Sequence, residues 1–368
     1  MSTSARFMPH AQLQQLIDCL QQAGYECIGP QVRDGAIVYD TLSTTTQLPG
    51  GVRDVQRAGH YRLESTGDDR LFAWANGPQA LKPLLFQPRE TLWSVDRSAD
   101  GRLSLQAREP QASKRAVLGV RACDIAALYL HDNHFLQSDY KDPYYLAQRQ
   151  ELLIIAVNCT HPAETCFCAS TGDGPRAAYG YDLVMTELAD GFVIEAHSEM
   201  GMGLLDGLGL RPAGPERIEQ VDTSLEQAAA QQTRSLPGRN LQAQLFSNLE
   251  HPHWEDIAQR CLSCGNCTAV CPSCFCHSEH DEGGLDLAHS EHIRQWDSCF
   301  TEGHSYIHGL TIRSSTTQRY RQWLSHKLGS WHEQYGRSGC VGCGRCISWC
   351  PTGIDLTAEV RTIIGEPA

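Results

Sequence analysis

The stretch CLSCGNCTAVCP, residues 261–272, places two, two and three residues between successive cysteines and follows the last with proline. Cys340, Cys343, Cys346 and Cys350 repeat the spacing of Cys261, Cys264, Cys267 and Cys271, and Pro351 stands where Pro272 stood. Three thiols at two-residue gaps let a tight loop wrap one face of an iron-sulfur cube, with backbone N–H groups turned toward the sulfides. The fourth cysteine is expected to start a helix leading away from its own loop. In the bacterial ferredoxin arrangement that fourth thiolate reaches the other cluster, so Cys271 is expected to join Cys340, Cys343 and Cys346, and Cys350 to join Cys261, Cys264 and Cys267. Zinc is the alternative occupant, although four-coordinate zinc usually takes two pairs across a longer spacer.

A compact ferredoxin would join the two motifs closely, whereas this chain inserts residues 273–339 between them. Cys274, Cys276 and Cys299 in the insert are expected to pack as thiols over the clusters, with further ligation as the alternative. HSEH occurs at 277–280 and again at 289–292, which reads as a solvated helix face or as paired imidazoles for a metal. RYRQWLSHKL reads as a basic helix. Trp296, Trp323 and the Arg-rich stretch 313–321, with Arg319 and Arg321, offer either a docking surface or packing around the clusters.

The N-terminal part has a different texture. AQLQQLIDCLQQA, residues 11–23, puts Leu13, Leu16, Ile17 and Leu20 on one helical face, with Gly24 as a stop. CIGPQVRDGAIVYDTL reads as a hairpin turning at Asp34-Gly35, and YDLVMTELADGFVIEA as another around Asp190-Gly191. AVLGVRAC, then CDIAALYLHDNHFL, then ELLIIAVNC read as strand, helix and strand, a parallel βαβ unit. Its two strands are expected to end at Cys123 and Cys159, and ligands of open α/β sheets collect at carboxyl ends of strands. With Cys166 and Cys168 these make four sulfurs for a third iron-sulfur site. Simple burial, or a redox-active Cys166–Cys168 pair, are the other readings. GMGLLDGLG misses the spacing of a dinucleotide fingerprint, and Cys19 and Cys27 read as core residues.

The expected architecture is therefore an α/β N-terminal lobe over 1–210, a helical connector over 211–255, and an α-helical ferredoxin-like dicluster domain over 256–368 with its long insert. Acidic residues outnumber basic ones 43 to 30, which argues against a nucleic-acid groove because phosphates must be met by Lys and Arg. The longest strong apolar run is LLIIAV, too short to span a bilayer, and the N-terminus lacks a secretory core. Seventeen cysteines, an odd number with many one to three residues apart, suit metal thiolates in a reducing cytoplasm better than disulfides.

GVRACDIAAL (119–128), NCT…ETCFCAS (158–170), CLSCGNCTAVCPSCFC (261–276), RQWDSC (294–299) and YGRSGCVGCGRCISWCPTGID (335–355) together resemble the beta subunit of cytoplasmic nickel-iron sulfhydrogenases and the related iron-sulfur subunit of anaerobic sulfite reductase. The resemblance implies two 4Fe-4S clusters on the eight motif cysteines and no catalytic residue. It implies an electron relay between a flavin subunit handling NAD(P)H and a catalytic hydrogenase or reductase subunit. HGLTIR, 308–313, departs from the glycine-rich, Asn-containing stretch usual there. A self-sufficient reductase of sulfur compounds using Cys166 and Cys168 is the competing reading.

Overall fold

A computed structural model describes residues 5–75, 77–285 and 288–365. Its largest element is an eight-stranded sheet built on four parallel strands, Glu26–Arg33, Arg115–Val120, Leu152–Val157 and Leu183–Leu188. Ala36–Thr41 extends one edge antiparallel to Glu26–Arg33, while Gly191–Ala196, Arg6–Pro9 and Arg211–Pro212 extend the other. Leu152–Val157 is buried at all six positions, as a central parallel strand covered on both faces must be.

The helix Leu13–Gln22 buries Leu13, Leu16, Ile17 and Leu20 against one face, and each such side chain contributes roughly 1.5–3 kcal/mol of apolar burial. Ala122–Leu136 covers the other face, with Ile125 and Leu128 in its core, and completes the expected βαβ unit. The turn at Asp34 and Gly35 has positive φ at both residues, 50° and 74°, the conformation that two-residue hairpins prefer. GMGLLDGLG lies mostly within the helix Glu199–Gly207 rather than in a phosphate-cradling turn.

Between the sheet and the first motif run the helices Pro215–Ala230, Gln242–Ser247 and His253–Arg260. The C-terminal part carries the helices Thr316–Ser325, Trp331–Tyr335 and Leu356–Ile364, but it is not wholly helical. His277–Gly283 and His289–Trp296 form an antiparallel pair that joins Arg89–Arg97 and Leu103–Ala107 in a four-stranded sheet. Both HSEH segments therefore lie on strands, not on a helix face. Cross-strand acids explain the pattern: His292 Nδ1 is 2.8 Å from Asp281 Oδ1 and Nε2 is 3.3 Å from Glu279 Oε2. The four-stranded sheet is locked to the rest by buried Arg294, which bridges Glu90 at 2.5 Å and Asp142.

The second motif is embedded in the N-terminal lobe. Phe167 N–H donates to Gly342 O at 2.8 Å, and Gly59 N–H donates to Ile347 O at 3.0 Å. A Cβ on Gly342 would stand 2.6 Å from the Cys168 backbone, and one on Gly344 would stand 2.4 Å from Thr165 O. Both glycines also hold positive φ, 64° and 73°, so the GCVGCGRC pattern serves this close approach as well as the loop's turn.

Candidate metal centre

Each motif folds the same way. A left-handed glycine, Gly265 or Gly344, opens a single helical turn, Asn266–Ala269 or Arg345–Ser348, which carries the third cysteine. The fourth cysteine follows that turn instead of opening a helix of its own. Its proline then stops the chain from continuing helically.

Cys261, Cys264, Cys267 and Cys350 line one cavity, which Cys346 also borders. The remaining walls are Leu262, Phe300, Tyr320, Trp323, Ile354 and Leu356 with Gly265, Pro351 and Thr352, so no charged side chain lines it. Cys271 lies within electrostatic reach of Cys340, Cys343 and Cys346. Cys350 thus shares a cavity with the three leading cysteines of the opposite motif, and Cys271 neighbours the three leading cysteines of the motif opposite its own.

The donor chemistry of the first cavity fits a sulfide-bearing group. The Tyr320 hydroxyl and the Trp323 indole N–H are buried there without a protein hydrogen-bond partner. Buried donors left unsatisfied cost about 1–3 kcal/mol each, and cluster sulfurs are acceptors that would relieve that cost. Burial pushes the Cys261 and Cys267 thiols up, and pushes Cys340 to about 12. Thiols so placed stay protonated until a cation takes the proton's place. Cys271 behaves differently: a hydrogen bond with Cys274 and the Lys327 ammonium hold it well below the usual thiol range.

The N-terminal cysteines form a second neighbourhood. Cys123 sits in the first turn of Ala122–Leu136, Cys159 two residues beyond the strand Leu152–Val157, and Cys168 opens a short helical turn. Cys168 is the common neighbour, within electrostatic reach of Cys123, Cys159 and Cys166, and also of Cys343. Burial raises all four thiols, Cys168 to about 12. Arg121, 2% exposed, braces the strand ends there with donations to Val157 O, Asn158 O, Phe72 O and Trp74 O.

In the insert, Cys274 pairs with Cys271, while Cys276 neighbours Cys299 and hydrogen-bonds His304, which Asp297 holds at 3.0 Å. Arg319 and Trp323 are buried, at 8% and 5% exposure, and Arg319 is consumed by the carbonyls of Phe300, Arg313 and Ser314. They pack beside the cavity and offer no docking surface; the Arg–aromatic composition did not distinguish a buried clamp from an exposed anchor. Lys82 escaped the sequence reading, and Lys327 was read only as part of the basic run RYRQWLSHKL, yet both are buried beside Cys271. Nothing local to a lysine signals such burial.

Residues 260–354 match the family described as a 4Fe-4S dicluster domain, which defines the class of this site. Beyond the class, the chain is 29% identical over 292 residues to sulfhydrogenase 2 subunit beta of Pyrococcus furiosus, covering 76% of this chain and 82% of the relative. Domain and relative agree with the resemblance read from the motifs and support the sulfhydrogenase beta-subunit family for an iron-sulfur, electron-transferring chain. No solved structure matches. Among the described residues no helix is long and apolar enough to cross a membrane.

Proposed function

We propose that this chain is a relay subunit of a multi-subunit oxidoreductase, passing electrons through two 4Fe-4S clusters between a flavin subunit that handles NAD(P)H and a catalytic subunit of nickel-iron hydrogenase type. Cys261, Cys264, Cys267 and Cys350 would hold one cluster, and Cys271, Cys340, Cys343 and Cys346 the other. The observation that carries the reading is the crossing, in which Cys350 shares a cavity with the three cysteines of the opposite motif. Bound clusters would supply one-electron storage, and the chain's own residues supply thiolates, buried donors and exclusion of water. The relative's name, which is that of a subunit, supports assembly with partners, which we place in the cytoplasm.

We further propose that Cys123, Cys159, Cys166 and Cys168 hold a third cluster, since Cys168 neighbours the other three and Cys343 as well. The division at 1–210, 211–255 and 256–368 is kept as an organisational proposal, with the strands Arg89–Arg97 and Leu103–Ala107 lent to the insert's sheet. Anaerobic preparation tests the relay reading. The chain should carry about eight iron atoms, or about twelve with the third site filled, and should accept electrons from a strong reductant without turning over NAD(P)H or hydrogen alone. Turnover of NADPH by the lone chain at the rate of the whole complex would overturn it.

A further inference from the structure

The two crossed cysteine sets sit in opposite electrical surroundings. The cavity of Cys261, Cys264, Cys267 and Cys350 has no charged side chain in its lining, and Cys264 reaches solvent. Cys271, Cys340 and Cys343 are buried, each at 8% exposure. Burial in a low-dielectric interior penalises added charge, so a cluster at this second set would resist reduction more than its exposed neighbour.

Two lysines oppose that penalty. Lys82 Nζ lies 3.3, 3.1 and 3.2 Å from the carbonyl oxygens of Thr268, Ala269 and Cys271, and 3.8 Å from the centre of the Trp296 ring. Three carbonyls around one nitrogen call for three hydrogens, so these contacts favour the ammonium form, against burial and the neighbouring Lys327, which lower its pKa. Lys327 Nζ donates to Ser273 Oγ at 3.0 Å and to Gly339 O at 3.3 Å, and Ser273 spends its own proton on Gly339 O at 2.5 Å. Lys82 is 6% exposed and Lys327 5%.

All of these oxygens are neutral, whereas lysines buried this deeply ordinarily meet an anion. Arg345, beside Cys343, already has its carboxylate in Asp124. Among the described residues the anionic partner left for the two ammonium groups is the sulfur set itself, with Cys271, Cys274 and Cys340 neighbouring Lys327, and Cys271, Cys274 and Cys276 neighbouring Lys82. Four thiolates around a cluster leave it a net anion, and each electron accepted adds one negative charge with no bond made or broken.

We propose that Lys82 and Lys327 hold up the reduction potential of the cluster at Cys271, Cys340, Cys343 and Cys346, keeping this buried site within reach of the more exposed one. The inference rests on the relay reading and extends it to two positioning residues that ligate nothing.

Anaerobic redox titration followed by electron paramagnetic resonance, on the iron-loaded full chain, tests it. In Lys327→Met and in Lys82→Met one midpoint, the same in both, should fall by at least about tenfold in the reduction equilibrium, which is 59 mV for a one-electron couple. Every other midpoint should stay in place, and Lys327→Arg and Lys82→Arg should restore most of the loss. Unmoved midpoints at wild-type iron content in both Met variants overturn the inference while leaving the relay intact. Should Lys327→Met alone lose iron, the Lys82→Met titration decides. Loss of iron in both Met variants with full iron in both Arg variants also overturns it, because the charges would then serve assembly. Absence of clusters from the wild-type chain would instead sink the relay reading.

Discussion

Arg345 Nη1 lies 2.9 Å from Asp124 Oδ1, and the two side chains, from the second cysteine motif and from the first turn of the helix after Arg115–Val120, are 2% and 1% exposed. Arg345 Nε also donates to Gly77 O at 2.9 Å. The pair pins the loop of Cys343 and Cys346 to the N-terminal sheet. Removing one member of a buried pair strands the other's charge, which costs about 3–5 kcal/mol, whereas replacing both with apolar groups costs much less. Asp124→Ala should therefore lower the urea midpoint sharply, and Asp124→Ala combined with Arg345→Met should recover part of it. Additive losses in the double variant would show that the pair is not the source.

Crossed ligation makes a prediction about order of removal. In a Cys340→Ala, Cys343→Ala background one cluster is lost and the iron content should fall by about four atoms. Adding Cys350→Ser should then disturb the surviving cluster, because Cys350 shares the cavity of Cys261, Cys264 and Cys267. Adding Cys271→Ser to that background should leave its spectrum unchanged. The opposite pattern, with Cys271 needed and Cys350 idle, would mean that each motif serves its own cluster.

His292 should make the outer hairpin sensitive to pH. The hydrogen bonds its ring donates to Asp281, the first cause, and to Glu279 raise its pKa above the usual imidazole value, and its ring stacks on Trp93 at 4.6 Å. A folded-state pKa above the unfolded one gives stability that is fully present below about pH 6.5, the ordinary imidazole value, and that fades as pH rises through the higher folded value. Amide hydrogen exchange in 277–296, corrected for intrinsic rates, should show greater protection at about pH 6 than at pH 8. His292→Gln should flatten that difference. Equal protection at both pH values in the wild-type chain would show that the cross-strand acids do not grip the ring.

Much of this arrangement was legible in the residues, and the limits have physical causes. Leu13, Leu16, Ile17 and Leu20 announced a helix face, and Asp34-Gly35 a hairpin, because local periodicity and positive-φ turns are written locally. The cysteine spacing likewise showed where sulfurs would gather. HSEH misled because acids and histidines at alternate positions suit an exposed strand as well as a helix, and the partner strands Arg89–Arg97 and Leu103–Ala107 lie far away in sequence. The burial of Lys82 and Lys327 was invisible for a related reason. Their burial depends on carbonyls and sulfurs from other segments, and nothing local marks a lysine that the fold will enclose.

For the N-terminal set, Cys166→Ser with Cys168→Ser should lower iron content by about four atoms per chain while the spectra of the other two clusters persist. Gly342 O accepts from Phe167 N–H through the backbone, so serine at the two thiols leaves the bond that joins this loop to the second motif. Gln232, whose Nε2 lies 3.3 Å from Cys168 Sγ, should tolerate the change by donating to a hydroxyl instead. Unchanged iron would return the four cysteines to packing or to thiol chemistry. Alkylation of Cys166 and Cys168 in the intact protein would then separate those two outcomes.

Tyr320 offers the cleanest probe of the first cavity, because Tyr320→Phe deletes one hydroxyl and leaves the ring in place. That hydroxyl is buried without a protein partner, and burial, Glu359 and the sulfurs of Cys267, Cys346 and Cys261 together raise its pKa well above the usual phenol value, so it remains a donor. A donor to a cluster sulfur favours the reduced state, whose charge is greater, and its removal should lower the midpoint of the cluster at Cys261, Cys264, Cys267 and Cys350. The shift should reach up to about tenfold in the reduction equilibrium, 59 mV for one electron. The midpoint that responds to Lys327→Met should not respond here. Trp323→Phe, which removes the other orphaned donor of the same wall, should move the same midpoint in the same direction. If both aromatic variants shift the lysine-sensitive midpoint instead, the assignment of donors to cavities is reversed. If neither shifts any midpoint, those two polar atoms do not meet the cluster.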